Sequence, residues 1–240
     1  MDTPTHATNP TRSAWIRSVD LASVALFAAA WSAVAWQLAR ALPPSRLAIL
    51  CVAALPVAVL LADLVSGLVH WFADRYLDAR TPLLGPMLIE PFREHHLDPM
   101  AMTRHDFFEV SGNNGLVTLP LAFALLMSGI GPEAGTTVQL IHMTVVLFAM
   151  LVFVTNQLHA WAHAPAPPQI VQRLQRSGLV LTQARHARHH EAGHDRAYCI
   201  TTGLLNPLLD RARFFDRLEA ALAHIGLRSV AHARPEDERR

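Results

Sequence analysis

Four long apolar segments constrain the fold of this chain more than any other feature of its sequence. They lie at residues 21–39, 47–71, 116–130 and 138–158. A helix that crosses the hydrocarbon core of a bilayer needs about 20 mostly apolar residues. Charged residues make up only 16% of the chain, whereas a soluble globular domain has roughly 25%. We therefore predict an all-α integral membrane protein with about four transmembrane helices.

One membrane domain between two short tails is the simplest division of the chain. Residues 1–18 are predicted to form a flexible tail, residues 19–228 the membrane-embedded domain and residues 229–240 a disordered tail. A cleaved signal peptide would also explain charges that precede an apolar stretch. The first apolar segment contains Trp31 and Trp36 and has no clear small-residue cleavage site, so we prefer a retained helix.

The basic residues predict how the helices are oriented. Arg12 and Arg17 precede the first apolar segment, and further arginines lie between the second and third segments and after the fourth. The stretch 131–137, between the third and fourth segments, has no Lys or Arg. Since short cytoplasmic loops are enriched in these residues, we predict a multi-pass protein with both termini in the cytoplasm, in the cytoplasmic membrane if the chain is bacterial. The net charge of +1 gives no reason to expect a nucleic-acid partner.

Histidine stands out in both number and position. Ten of the fourteen histidines fall on the predicted cytoplasmic side, in four clusters, and several are spaced four apart, as on one helical face. Neutral imidazole is a good ligand for iron, zinc and copper. Because ten imidazoles exceed the needs of one ion, we predict a cytoplasmic metal-binding cap in which two ions share eight or more of them. The candidate ligands are His70, His95, His96, His105, His159, His163, His186, His189, His190 and His194. The histidines interpreted as surface or core residues are His6, His142, His224 and His232.

Acidic residues near these histidines are candidates for fixing the imidazole tautomers, a role that carboxylates often have behind metal ligands. The candidates outside the apolar segments are Asp74, Glu94, Asp98, Asp106 and Asp195. Asp63 is a further candidate, because it lies inside the second apolar segment and shares a helical face with His70. A carboxylate within a membrane is expensive to bury and often functional, although a hydrogen bond between packed helices would also explain it.

One ready-made motif suggests a different function. The run from His190 to His194, HEAGH, matches H-E-x-x-H, in which two histidines on a helix bind zinc and the glutamate is the base of a metalloprotease. Gly193 weakens the helix that this motif requires, and a protease site would leave most of the candidate histidines without a role. A carboxylate-bridged di-iron bundle of the ferritin type needs paired Glu-x-x-His helices, and only Glu191 and His194 have that spacing.

Four stretches of the chain occur in an order that is known from one protein family. They are DLVSGLVHWFADRY at Asp63–Tyr76, PFREHHLDPMAMTRHDFFEVSGNN at Pro91–Asn114, NQLHAWAH at Asn156–His163 and HARHHEAGHDRAYCITTGLLN at His186–Asn206. Together they resemble the Kua-type lipid desaturases, in residues other than histidine as well, over roughly residues 61–210. Asn206 is followed here by Pro207, which departs from the family, so for Asn206 we expect no more than a role in shaping or supporting the site.

The resemblance implies an integral-membrane enzyme that depends on iron and O2, with the ten candidate histidines as the ligand set of two iron ions and no catalytic residue beyond them. It implies a phospholipid substrate and a double bond introduced into an alkyl or acyl chain. The family includes enzymes that form the vinyl ether of plasmalogens and enzymes that desaturate plant fatty-acyl chains. No flavin, nicotinamide or haem motif is present, so a separate electron donor is expected, similar to a ferredoxin or to cytochrome b5. A hydroxylase with the same metal site, a zinc protease and a non-catalytic metal-binding membrane protein remain as alternatives.

Overall fold

The computed structural model describes residues 14–78, 85, 89–191 and 193–230, and the regular structure in these ranges is helical throughout. A short 3-10 turn at Ala101–Arg104 precedes the third long helix. The α-helices, in chain order, are α1 (Ala14–Ala41), α2 (Pro44–Tyr76), α3 (Glu90–Leu97), α4 (Phe107–Ser128), α5 (Thr136–His163), α6 (Gln169–Arg176), α7 (Gln183–Ala187), α8 (Asn206–Arg211) and α9 (Phe214–His224). The all-α prediction is confirmed.

Four of these helices, α1, α2, α4 and α5, are long and apolar enough to cross a membrane. They have 28, 33, 22 and 28 residues, which at a rise of 1.5 Å per residue gives lengths of about 33 to 50 Å. The hydrocarbon core of a bilayer is roughly 30 Å thick. The four helices coincide with the four predicted apolar segments, and the prediction of about four transmembrane helices is confirmed.

Two of the long helices begin earlier than the sequence predicted. The helix α4 starts at Phe107 instead of residue 116, and α1 already includes residues 14–18, which were assigned to the N-terminal tail. Hydropathy misses the first turns of α4 because their small residues, Ser111, Gly112 and Gly115, are buried against other helices. A Cβ atom added to Gly112 of α4 would lie only 2.5 Å from Oδ1 of Asp20 on α1. Small residues permit such a close approach of helices within a membrane.

The four long helices pack in the order α1, α4, α5, α2, with the most extensive contacts between neighbours in that order. Phe27 of α1 stacks on Phe153 of α5, with ring centroids 3.7 Å apart. Trp31 Nε1 donates a hydrogen bond to the hydroxyl of Thr118 on α4 at 3.4 Å. The outward faces carry many exposed large apolar side chains, as expected for helices that are surrounded by lipid.

The connections divide the bundle into two distinct ends. The links from α1 to α2 (residues 42–43) and from α4 to α5 (residues 129–135) are short and lie at one end. The ten candidate histidines lie at the other end, where the short helices are. The start of the described chain is at the histidine end too, because Arg17 of α1 pairs with Asp106, the residue before α4, at 2.6 Å.

The described C-terminal end also lies against the histidine end of the bundle. The hydroxyl of Ser229 donates a hydrogen bond to the backbone carbonyl of Arg75 on α2 at 2.9 Å. Ser229 is the first residue of the predicted C-terminal tail, and it is buried. The remainder of the two predicted tails, residues 1–13 and 231–240, lies outside the described residues.

The segment 197–206, called the inserted loop below, enters the bundle between α2 and α5. The hydroxyl of Thr201 in this loop is 2.8 Å from that of Thr155 on α5. Asp63 of α2 accepts hydrogen bonds from three backbone N–H groups of the loop, those of Thr202 (2.8 Å), Gly203 (2.8 Å) and Leu205 (3.0 Å). Backbone donors away from water need such an acceptor, and a buried carboxylate needs such donors. Asp63 therefore anchors the inserted loop to α2.

Two further residues fix the shape of the inserted loop. The side chain of Asn206 accepts a hydrogen bond from the N–H of Cys199 (2.8 Å) and donates one to its carbonyl (3.0 Å), which closes the loop on itself. Gly67 of α2 lets the loop approach, since a Cβ atom there would lie 2.7 Å from the sulfur of Cys199. This geometry agrees with the shaping role expected for Asn206.

Candidate metal centre

Eight of the ten candidate histidines converge at the histidine end of the bundle. They form two groups, and within each group the ligand nitrogens all lie within 4.8 Å of one another. The five-histidine group consists of His95, His159, His163, His186 and His190, and the four-histidine group of His70, His95, His96 and His189. His95, on α3, belongs to both groups and is fully buried. It is therefore placed to link two ions or to lie between them.

The five-histidine group brings its Nε2 atoms to the separations that a shared ion requires. His159 and His163 lie one turn apart on α5, and His186 and His190 lie on and just after α7. The Nε2 of His186 is 2.8 Å from that of His159, 2.9 Å from that of His163 and 2.9 Å from that of His190. Two nitrogens that are each about 2.1 Å from one ion lie about 3.0 Å apart at a right angle and about 3.4 Å apart at the tetrahedral angle. The donor set fits a metal ion.

In the four-histidine group, backbone carbonyls fix two of the imidazole tautomers. His70 Nδ1 is 3.1 Å from the carbonyl oxygen of Tyr198, and His189 Nδ1 is 2.8 Å from that of Arg196. A carbonyl can only accept a hydrogen bond, so each Nδ1 carries the proton and each neutral ring presents a bare Nε2 to the site. This arrangement is common behind histidine ligands of metal ions. The Nε2 atoms of His96 and His189 are 3.0 Å apart.

The surroundings keep these imidazoles neutral. Burial, followed by the neighbouring imidazoles, holds the pKa of His186 well below its usual range. The same two causes lower the pKa of His190 to about 3 and that of His96 further still. A histidine must be neutral to bind a metal ion, so the rings are in their ligand form at neutral pH.

Two of the ten predicted ligands lie outside both groups. His105 lies between the 3-10 turn and α4, and its Nδ1 is 3.0 Å from a carboxylate oxygen of Glu109 in the first turn of α4. His194 is half-buried at the rim of the site, and its ring centroid is 4.4 Å from that of His96. Its φ of 45° is in the left-handed region, because the chain turns here after Gly193. Sequence spacing cannot distinguish such positions from those of the eight converging histidines.

The HEAGH run does not have the geometry of a zinc-protease motif. The helix α7 ends at Ala187, and Gly193 has a φ of +102°, so His190 and His194 do not share a helical face. The side chain of Glu191 is 55% exposed and lies 3.8 Å from Arg196. His190 instead belongs to the five-histidine group, which removes the basis for the protease alternative.

Of the acidic candidates, Asp74 is the one that the structure places against the imidazoles. Its Oδ2 is 3.4 Å from Nε2 of His70, 3.5 Å from Nε2 of His189 and 3.8 Å from Nε2 of His96. Asp63 instead anchors the inserted loop, and Glu94 lies beside His95 on α3. The candidates whose carboxylates contact arginines are Asp98 (Arg104, 2.6 Å), Asp106 (Arg17, 2.6 Å) and Asp195 (Arg196, 3.3 Å).

Tyr198 is a residue of the site that the sequence did not indicate. Its carbonyl accepts the hydrogen bond from His70, and its buried hydroxyl donates one to the carbonyl of His194 at 2.8 Å. Its ring meets that of Phe215 on α9, with centroids 4.7 Å apart. The first role uses only the backbone, so no side-chain pattern could have revealed it.

Comparisons with known proteins point to one family. A family model described as "Lipid desaturase domain" matches residues 59–231. A plasmanylethanolamine desaturase of Myxococcus xanthus is 39% identical over 209 residues, which are 85% of this chain and 71% of that protein. Plasmanylethanolamine desaturase 1 of Mus musculus is 44% identical over 67% of this chain and 60% of its own length. The chloroplastic fatty acid desaturase 4 of Arabidopsis thaliana is 34% identical over 75% of this chain and 54% of its own length. No solved structure matches the chain significantly.

Proposed function

Because the chain belongs to the lipid desaturase family and has four helices suited to a membrane, it is a membrane lipid desaturase, and we propose that it uses two iron ions and O2 to form the vinyl ether of an alkyl-ether phospholipid. The observation that carries this proposal is the convergence of eight histidines in two linked groups at one end of the bundle. Two relatives at 39% and 44% identity are named plasmanylethanolamine desaturases, whereas the plant fatty acid desaturase is at 34%. This difference favours an ether-linked chain over an ester-linked one.

Iron fits both the ligands and the reaction, and it is the metal that the family resemblance implies. Imidazole suits zinc, copper, iron and nickel, but zinc has no redox chemistry, and an unactivated alkyl chain yields its hydrogens only to a strong oxidant. When bound, iron supplies that oxidising power, as cofactors generally do. The chain itself holds the ligand rings. The carbonyls of Tyr198 and Arg196 orient His70 and His189, and Asp63 holds the inserted loop that carries Tyr198.

The electron balance of the reaction requires a separate donor. Forming a C=C bond from a CH2–CH2 unit releases two electrons and two protons. Reduction of O2 to two water molecules takes up four of each. The remaining two electrons must come from a reduced partner, and we propose a small redox protein similar to a ferredoxin or to cytochrome b5.

An apolar groove on the turns of α2 that carry His70 supports binding of the lipid chain there. The groove has a volume of about 420 Å³, and its walls are formed by Leu68, Val69, Trp71, Phe72, Ala73 and Leu77. Val69 and Trp71 are the direct neighbours of His70 in the chain. The groove does not include the ring of His70, but it lies on the same helical turns, so a hydrocarbon chain bound there would lie against the helix that carries this candidate ligand, and burial of its methylene groups is favourable.

The histidine end of the bundle is proposed to face the cytoplasm, with both termini on that side. The support is the position of the arginines, which are abundant at this end, whereas the other end has only Arg40 and Arg46 and residues 129–135 have none, because short cytoplasmic loops are enriched in Lys and Arg. A membrane-impermeant maleimide should label a cysteine placed at Ser177 only in inverted vesicles, and one placed at Gly135 only in right-side-out vesicles. The opposite labelling pattern would reverse the orientation.

The proposed reaction can be tested in a host that makes alkyl-ether lipids but lacks this activity. Its phospholipids are analysed by mass spectrometry. Expression of the chain should produce ether phospholipids that have lost two hydrogens and that release a fatty aldehyde in acid, as a vinyl ether does. An acid-stable loss of two hydrogens from an ester-linked chain would indicate an acyl desaturase instead. A gain of one oxygen atom would indicate a hydroxylase.

Two histidine variants provide the matched comparison for this test. His95→Ala removes the imidazole common to both groups and should abolish the product while the protein still inserts. His142→Ala changes a histidine at the other end of the bundle, where its ring contacts Ser128 at 3.2 Å, and should leave the product unchanged. Equal product from the two variants would remove His95 from the ligand set.

A further inference from the structure

Asp74 differs from the other acidic residues near the site in where its carboxylate lies. It is one helical turn beyond His70 on α2, and its side chain is 7% exposed. Its Oδ2 is 3.4, 3.5 and 3.8 Å from the Nε2 atoms of His70, His189 and His96. We propose that Asp74 is a direct ligand of the ion in the four-histidine group, so that the two metal sites differ in charge. This inference rests on the proposed metal centre.

The tautomers of the imidazoles show that hydrogen bonds alone do not explain why the Oδ2 of Asp74 lies so close to these Nε2 atoms. His70 and His189 each donate their Nδ1–H to a backbone carbonyl, so their neutral rings offer only a lone pair to Asp74. A hydrogen bond can connect the Nε2 atoms of His96 and His189, which are 3.0 Å apart. The Nε2 atoms of His70 and His189 would still present lone pairs to the carboxylate of Asp74. Like partial charges at such distances in a buried site repel each other. A cation between the three acceptors removes the repulsion.

The distances agree with a shared ion. Ligand nitrogens and carboxylate oxygens lie about 2.0 to 2.2 Å from a transition metal, which places neighbouring ligand atoms roughly 3.0 to 3.6 Å apart. Two of the three Asp74 distances fall in this range, and the third, to His96, exceeds it by 0.2 Å. A carboxylate that only orients a ligand ring would instead accept a hydrogen bond from an Nδ1–H, and those of His70 and His189 point to carbonyls.

The consequence is an unequal pair of ions. The five-histidine group offers neutral imidazoles alone, whereas the four-histidine group with Asp74 adds one negative charge. An anionic ligand stabilises the higher oxidation state of an ion, so the iron beside Asp74 is the more easily oxidised of the two. The Mössbauer spectrum of the iron-loaded protein should accordingly contain two distinct signals of equal area.

Metal analysis of Asp74→Ala tests this assignment without lipid turnover. The full chain is purified in detergent, loaded with Fe²⁺ or with Co²⁺ under anaerobic conditions, desalted and analysed for metal per chain. We expect two ions in the wild type and one in Asp74→Ala, with the loss of one Mössbauer signal. Asp74→Asn, which keeps the shape of the side chain and removes its charge, should weaken retention of the same ion.

Asp98→Ala is the matched control, because Asp98 lies in the segment after α3 and pairs with Arg104 at 2.6 Å. It should retain two ions. Two ions with unchanged Mössbauer signals in Asp74→Ala would overturn the proposal, as would loss of both ions from a monodisperse Asp74→Ala protein. Since the readout is bound metal, absence of desaturation in the host would count against the proposed function and leave this assignment standing.

Discussion

At the scale of single residues, the site depends on anchors that are not ligands themselves. Backbone carbonyls of Tyr198 and Arg196 hold two of the ligand rings. Tyr198 belongs to the inserted loop, and the loop is held by Asp63, which is two turns deeper in α2 than His70. The carboxylate of Asp63 thus acts on the candidate metal centre through the backbone of the inserted loop. This is a positioning role, and it differs from the tautomer-fixing role considered from the sequence.

Replacement of Asp63 by Asn should destabilise the protein and loosen the site. The amide has one oxygen where the carboxylate has two, and its NH2 group would face backbone donors. Each buried N–H left without an acceptor costs about 1–3 kcal/mol. We expect the unfolding midpoint in detergent to fall by several degrees and bound metal to be lost more readily. Asp195→Asn, at a side chain that is 58% exposed, is the control, and an equal midpoint for the two variants would contradict the anchoring role.

At the scale of secondary-structure elements, the polar start of α4 illustrates how a membrane helix begins outside its apolar run. Asp106 caps this helix by accepting hydrogen bonds from the N–H groups of Phe108 and Glu109. Glu109 completes a capping box, and Arg17 joins α1 to the same point. These interactions extend α4 toward the histidine end, where α3 and the 3-10 turn lie.

Asp106→Ala should lower the stability of the protein by about 1 kcal/mol, the usual value of an N-cap. The hydrogen bond from Arg17, opposed by partial burial, lowers the pKa of Asp106 below its ordinary 3.8. A carboxyl whose pKa is depressed in the folded state stabilises the protein above the unfolded pKa and loses this effect as the pH falls through the folded one. The difference in unfolding midpoint between wild type and variant should therefore be present at pH 7 and shrink below pH 3.8. A difference that grows on acidification would contradict this account.

The groove on α2 gives a second prediction at the scale of a helix, which concerns binding of the lipid chain. Val69 lines the groove and is 50% exposed, whereas Val57, three turns away on the same helix, is 52% exposed and outside it. Both positions accept a large apolar side chain at little cost in lipid. Val69→Trp should reduce product formation on long-chain ether lipids several-fold, and Val57→Trp should not. Equal activities in the lipid mass-spectrometry assay would exclude the groove as the chain-binding surface.

At the scale of the whole molecule, the sequence predicts the class of fold and most of the site. The length of the apolar segments predicts the four long helices, and the spacing of His159 and His163 places both on one helical face. The sequence could not distinguish His105 from the eight converging histidines, because the position of His105 depends on the path of the chain between α3 and α4. It also could not indicate the inserted loop, since its anchor Asp63 acts through backbone N–H groups. Non-local backbone contacts of this kind leave no periodic pattern.

The fold also explains how a chain of this size would hold the two ions that we propose. The helices α2 and α5 carry histidines at their ends and α3 brings His95 between them. The inserted loop lies between α2 and α5 near the histidine end of the bundle, and the carbonyl of its Tyr198 fixes the tautomer of His70. Each of the two histidine groups therefore takes rings from a long helix, α2 or α5, and the short segments add the remaining rings.

The metal content of the purified wild-type chain tests the central claim most directly. The protein is purified in detergent from cells grown with iron and zinc, and both metals are measured per chain, with the protein quantified by amino-acid analysis. The account predicts two iron ions per chain, and fewer in His95→Ala. One zinc ion per chain and no iron would contradict it.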